Sequence, residues 1–221
     1  AGARVTLATT RVQKPGEESY DGRLAVLAPD AVLVRHWGAL VRFQEERARP
    51  ILHGDFSLNV TNSLTAAELF ARGLDTLTAS HDLDEHQLFA LLEASRPERF
   101  TVVLHHRIAT FHTEHCVYAH LLSRGRDFRT CGRPCESHRV SVRDHLGHQH
   151  PVIVDVACRN TVFNAEAQSS AALVPELLRR GVRRFRVEFV REERDEAGRI
   201  LGAYAELLAG TLAPATAARR A

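Results

Sequence analysis

The chain has 221 residues, 44% of them hydrophobic and 25% charged, with a formal net charge of +2. A chain of this length buries one substantial core, and so balanced a charge marks neither a nucleic-acid nor a membrane surface, although it leaves RNA binding open. No stretch approaches the roughly 20 consecutive apolar residues of a membrane span, and the first residues lack the apolar core of a secretory signal, so a cytoplasmic location with no membrane partner is expected.

Read in chain order, an apolar run begins almost at once at Val5-Thr6-Leu7-Ala8, and there is no methionine anywhere, which reads as an excerpt of a longer chain. Residues 13–23, with Pro15, Gly16 and Gly22, read as an exposed loop. Short Val/Ile/Leu/Phe runs of strand character follow at Ala31 to Val34, Ile51 to Leu52, Leu74 to Leu77, Phe100 to Leu104, Val152 to Val156 and Phe185 to Val190. Their length and composition suit strands buried on both faces of a parallel sheet.

Helical signals lie between them. Thr65-Ala66-Ala67-Glu68 has capping-box chemistry and opens a helix that stops near Gly73. Asp84 with Gln87 opens another that runs through Leu88, Leu91 and Leu92 to Pro97. Ser169 or Ser170 opens a third, with Leu173, Leu177 and Leu178 on one face and Gly181 as its stop. Alternating strands and helices predict an α/β fold: a parallel β/α domain, part of a TIM-like barrel, over residues 1–208, with a fraying Ala/Thr/Arg-rich tail at 209–221.

In such folds function collects where strands end. Gly54-Asp55, Ser80-His81-Asp82, His105-His106 and the segment from Asp155 to Asn160 fall at those places. Asp55, Asn59, Asn160 and Asn164 are therefore candidate substrate-binding residues. Arg159 with the neighbouring amides can bind a carboxylate or phosphate, while the same amides can equally cap helices and tie loops.

The cysteines are the most concentrated signal. All four, Cys116, Cys131, Cys135 and Cys158, fall in one stretch that also carries His112, Glu114 and His115. In Cys131-Gly-Arg-Pro-Cys135, Gly132 permits a tight turn and Pro134 fixes it, which preorganises two thiols. Cys116 and Cys158 must be brought in by the fold. Four thiolates suit tetrahedral zinc or a four-iron cluster equally by count, and a chain with a full core has no need of disulfide staples. His112-Thr-Glu-His115 lacks the zinc-protease arrangement, because its histidines are three apart rather than four and its glutamate does not adjoin the first. No Gly-x-Ser-x-Gly elbow, Walker loop or dinucleotide fingerprint is present.

Four segments together resemble peptidase family U32, the collagenase-like peptidases: G-D-F-S-L-N-V-T-N from Gly54, F-H-T-E-H-C ending at Cys116, C-G-R-P-C-E from Cys131, and C-R-N-T-V-F-N-A-E-A-Q-S from Cys158. The resemblance spans most of the chain and implies a TIM-barrel-like catalytic domain of which this is the later part, to be completed by a further domain or partner. Some branches are called peptidases. Others look like oxygen-independent hydroxylation proteins acting on RNA or a quinone precursor, with prephenate as the implied oxygen source for some. Those branches carry a 4Fe-4S cluster on four cysteines, which implies Cys116, Cys131 and Cys135 as ligands here and Cys158 as the fourth. His112, Glu114, His115, Asp155 and Arg159 are then candidates for proton transfer or substrate anchoring. A metal-dependent peptidase and a non-enzymatic module stabilised by zinc are the alternatives.

Overall fold

The computed structural model describes residues 2–46, 48–125 and 127–221. The chain divides into two compact units, one formed by Ala1–Val102 with Pro175–Arg186 and the other by Val103–Val174 with Val187–Ala221.

The first unit runs β1 (Thr6–Ala8), α1 (Ser19–Val26), β2 (Ala31–Val34), α2 (Trp37–Gln44), β3 (Ile51–Gly54), α3 (Ser63–Ala71), β4 (Thr76–Thr78), α4 (Glu85–Glu93) and the start of β5 (Phe100–His106). These strands pair in chain order and all in parallel, with Leu7 opposite Val32, Val32 opposite Leu52, Gly54 opposite Leu77 and Leu77 opposite Phe100. Parallel neighbours need a crossover; each helix supplies one, and α2, α3 and α4 also cover the sheet with an apolar stripe. Ala39, Leu40 and Phe43 form that stripe in α2, Ala66 and Leu69 in α3, and Phe89, Leu91 and Leu92 in α4. Val32, Val34, Leu52, Leu69, Leu74, Leu77 and Phe100 are wholly excluded from solvent. The result is a mixed α/β fold of the partial TIM-barrel-like kind, as the alternating pattern predicts.

Two local details differ from the sequence reading. Helix α3 begins at Ser63, because the Asn62 side chain accepts from the Thr65 amide at 2.9 Å and so takes the capping role assigned to Thr65. Residues 13–23 are not all loop: α1 starts at Ser19, and Asp21 is buried and accepts from Gln13 Nε2 at 3.0 Å. The box at α4 forms as read, Asp84 Oδ1 accepting from the Gln87 amide at 2.8 Å and Gln87 Oε1 from the Asp84 amide at 3.0 Å.

The second unit takes the end of β5 and continues with β6 (Ala109–Thr113), α5 (Val117–Leu122), β7 (Val140–Arg143), β8 (Gln149–Val154), β9 (Asn160–Phe163) and β10 (Gln168–Ser169). The chain then passes through α6 (Val174–Arg179) and β11 (Arg184–Val187) to α7 (Arg194–Leu208) and α8 (Pro214–Arg220). Strands β6, β9, β8 and β7 form, in that order, a separate antiparallel sheet. The run from Val152 to Val156 therefore lies at β8 in this sheet and is not the fifth parallel strand. A short apolar run reads the same in either setting, and only pairing distinguishes them. Within residues 209–221 the chain forms α8 over Pro214–Arg220. Pro214 sits at the first turn of α8, and Ala217 is fully buried where α8 packs against α7.

Gly54 ends β3 where a side chain has no room, since a Cβ there would lie 2.7 Å from Leu77 Cδ2 and 2.9 Å from Leu74 Cδ1. Gly54→Ala is expected to lower stability by about 1–3 kcal/mol through overpacking, seen as a lower urea midpoint at unchanged slope. An unchanged midpoint would show that the leucines yield freely.

Candidate functional site

All four thiols belong to the second unit, and three chain segments present them. Cys116 sits between β6 and α5, Cys131 and Cys135 in the loop before β7, and Cys158 in the turn joining β8 to β9. The loop is built on Asp127, whose carboxylate accepts from the Arg129 and Thr130 amides, both at 3.0 Å, while its carbonyl accepts from the Cys131 amide at 2.9 Å. Gly125 lies beneath this turn, and a Cβ there would meet the Thr130 carbonyl oxygen at 2.3 Å and the Cys131 nitrogen at 2.5 Å. Gly132 and Arg133 then take left-handed backbone angles, φ +68° and +51°, and the Arg133 amide donates to Cys131 Sγ at 3.4 Å. Pro134 opens the following single turn, which carries Cys135.

Cys158 is itself left-handed, with φ +63°. A non-glycine residue there costs about 1–2 kcal/mol, so its surroundings must over-determine it. Asp155 does so. Its Oδ1 accepts from the Ala157 and Arg159 amides at 2.9 and 2.8 Å, and its main chain bonds the Cys158 amide at 3.1 Å and the Arg159 carbonyl at 2.9 Å. Asn160, with no exposure, joins this turn to the other side: its Oδ1 accepts from the Val117 amide at 3.0 Å and its Nδ2 donates to the Cys158 carbonyl at 3.1 Å. The residues beside Cys116 and Cys158 are thus tied by one buried amide.

The thiols share one electrostatic neighbourhood. Burial pushes the Cys158 thiol up, and the negative charges of Cys116, Cys131 and Cys135 push it further. Cys135 is raised by burial first and then by Cys116 and Cys131. Cys116, Cys131 and Cys158 line a cavity of about 380 Å³ together with Glu114, His115, His120 and Asp127. Cys135 lines a second cavity of about 520 Å³ with Tyr118, His138, Asp155 and Glu192. Among the described residues, no three His, Cys, Asp or Glu side chains are set to hold a single metal ion. The thiols border cavities; they do not meet at a point.

The polar candidates of the second unit separate into roles. Glu114 Oε1 accepts from Arg159 Nε at 2.7 Å, and Arg159 is one of the largest fully buried side chains, whereas the Glu114 side chain is 56% exposed. The arginine therefore anchors the carboxylate on the cavity wall. His115 lies on the same wall, its ring 5.1 Å from that of His120 and edge-on to it. His112 Nδ1 is 2.9 Å from Thr161 Oγ1, a contact across β6 and β9. Asn164 closes a turn, its amide donating to the Ile108 carbonyl at 2.8 Å. His120 and Asp127 were not singled out from sequence. The spacing Cys116-x-x-x-His120 on one helix was a usable signal for the first.

Asp55 and Asn59 belong to the first unit. Asp55 is buried and bridges Arg35 Nε at 2.9 Å and Arg186 Nη2 at 2.8 Å. Burial alone would raise its carboxyl, but Arg186 and Arg35 outweigh burial and hold it below the usual carboxylate range. Asn59 has φ +56° and ends the turn Phe56–Leu58.

A mixed α/β fold with a parallel β/α unit, and in the second unit an antiparallel sheet whose connecting segments carry the thiols, define the class. The sequence profile of Peptidase family U32 matches residues 14–220, and the chain belongs to that family. Searches of curated proteins and of solved structures find no match.

Asn160→Ala leaves the Val117 amide and the Cys158 carbonyl without their partner. A loss of about 1–3 kcal/mol is expected, with faster reaction of Cys158 toward a thiol reagent, read by peptide mapping. Unchanged stability and labelling would remove the clamp. Because the Asp55 pKa is depressed on folding, its contribution is present above the unfolded value near about 4 and is lost as pH falls through the lowered folded value. Asp55→Asn is expected to flatten the acid limb of a stability profile below that point, and an identical limb would contradict the assignment.

Proposed function

We propose that the chain is an iron–sulfur enzyme domain in which Cys116, Cys131, Cys135 and Cys158 hold one 4Fe-4S cluster, acting in oxygen-independent hydroxylation or a related modification of RNA or a small aromatic precursor. The observation that carries the cluster is the convergence of four thiols, from three separate chain segments, within reach of one another's charge. Burial and the neighbouring thiols both disfavour the ionised form of Cys135 and Cys158. Ligation of the thiolates offsets that cost. One tetrahedral zinc ion requires ligand sulfurs about 3.8 Å apart, from a Zn–S bond of about 2.3 Å. Three of the four thiols, Cys116, Cys131 and Cys158, border a cavity of about 380 Å³, which gives room for a larger, polynuclear group.

When bound, the cluster supplies one-electron transfer. The protein supplies proton handling and orientation. Glu114, anchored by Arg159, stands on the cavity wall where a carboxylate can take and return a proton, and His115 with His120 offers a second route on the same wall. Asp155 acts earlier in the causal chain, by shaping the turn that presents Cys158. Asn160 joins the two thiol-bearing segments.

Protein purified without oxygen is expected to show broad visible absorption that bleaches on reduction, with about four irons and four sulfides per chain. Cys131→Ser and Cys158→Ser are each expected to reduce the iron content sharply. A colourless protein with stoichiometric zinc would overturn the proposal, and gelatin cleavage abolished by Glu114→Gln would favour a peptidase in its place.

A further inference from the structure

The first unit holds a second polar centre to which no thiol contributes. Consecutive parallel strands deliver its residues at their carboxyl ends: Arg11 after β1, Arg35 after β2, Asp55 and Phe56 after β3, and His81 after β4. Asp55 is 1% exposed and its two oxygens are divided, Oδ2 accepting from Arg35 Nε at 2.9 Å and Oδ1 from Arg186 Nη2 at 2.8 Å. Arg35 is held from its main chain as well, its amide donating to Thr9 Oγ1 at 3.0 Å and its carbonyl accepting from Ser57 Oγ at 2.8 Å.

This arrangement goes further than a structural tie requires. A carboxylate that only needed a partner would be satisfied by one bidentate guanidinium. Here Arg35 gives Asp55 its Nε alone. Among the described residues its two terminal amino groups meet no protein acceptor, and its side chain is 32% exposed. Asp55 therefore acts as a buried post that fixes the guanidinium plane and leaves its outer edge for something else. The residue that follows Asp55 in the chain carries a flat surface: the Phe56 ring stacks on His81 at 4.2 Å and 17°, and the Arg11 guanidinium lies 5.0 Å above the same ring. Preset donors beside an aromatic plane, at strand carboxyl ends, are the recurring form of a small-molecule site in parallel β/α folds.

We infer that the carboxyl ends of β1 to β4 form an oxyanion site in which Arg35 receives the carboxylate or phosphate group of a small molecule, with Asp55 and Arg186 as positioning residues. The site is independent of the cluster proposal, since none of its residues is a thiol or lines a thiol-bearing cavity.

The test is calorimetric titration of the protein at constant ionic strength with succinate in one arm and inorganic phosphate in the other. Saturable binding of either is expected, and the tighter one identifies the oxyanion. Arg35→Gln is expected to weaken it roughly ten- to hundredfold, the size of a lost charged hydrogen bond. Arg35→Lys keeps the charge but loses the planar fork, so a smaller loss is expected; it replaces the glutamine variant if circular dichroism shows that variant unfolded. Arg219→Gln, on α8, should bind as the unaltered protein does. Saturation by neither anion, or undiminished binding in the folded Arg35 variants, would overturn the inference.

Discussion

Asn160 ties together two chain segments that each carry a thiol, and the arrangement of the thiol-bearing region depends on that tie. One buried amide side chain donates to the carbonyl of Cys158 itself and accepts from the amide of Val117, the residue that follows Cys116. Strand pairing does the coarse positioning: β6 and β9 run antiparallel with Thr113 opposite Asn160, so the ends that carry the two cysteines arrive side by side. The amide then sets the fine position.

The second unit reinforces this region from its far edge. Arg191 donates to the Val140 and Val152 carbonyls at 2.6 and 2.9 Å, and the Tyr118 hydroxyl reaches the same Val152 carbonyl at 2.7 Å. Helix α5 is thereby joined to the β7–β8 hairpin. Glu192 adds a buried anchor, accepting from Arg107 Nε at 3.0 Å and from the Val190 and Arg191 amides at 2.6 and 3.0 Å; these bonds outweigh burial and hold its carboxyl below the usual range. Rigid support of this kind leaves strain at Cys158 and in the Gly132-Arg133 turn, where left-handed backbone holds the thiols in place.

The parts of the fold legible in sequence are those set by local chemistry. Apolar runs at Ala31 to Val34 and Phe100 to Leu104, and the Asp84/Gln87 box, specify their elements without distant help. The antiparallel sheet was not legible, because Val152 to Val154 carries the same short apolar signature as a buried parallel strand while its partners lie at Val140 and Val162. Asn62 displaced Thr65 as a cap because both are good cap residues, and only backbone geometry selects between them. At the candidate site the thiols stood out by clustering, and Gly132 with Pro134 by turn chemistry. The roles of Asp155 and Asn160 did not, since both bond main-chain groups whose positions depend on the turn itself. Arg35 and Arg186 were invisible for a related reason: their common partner, Asp55, is far from both in sequence.

Family membership and fold leave the central chemical claim resting on the four thiols acting as one ligand set. Anaerobic native mass spectrometry of the intact protein tests it most directly. The account predicts a single mass increment equal to four irons and four sulfides, absent from the Cys131→Ser and Cys158→Ser variants. An increment equal to one zinc ion, or no increment in protein that is folded and kept free of oxygen, would contradict it.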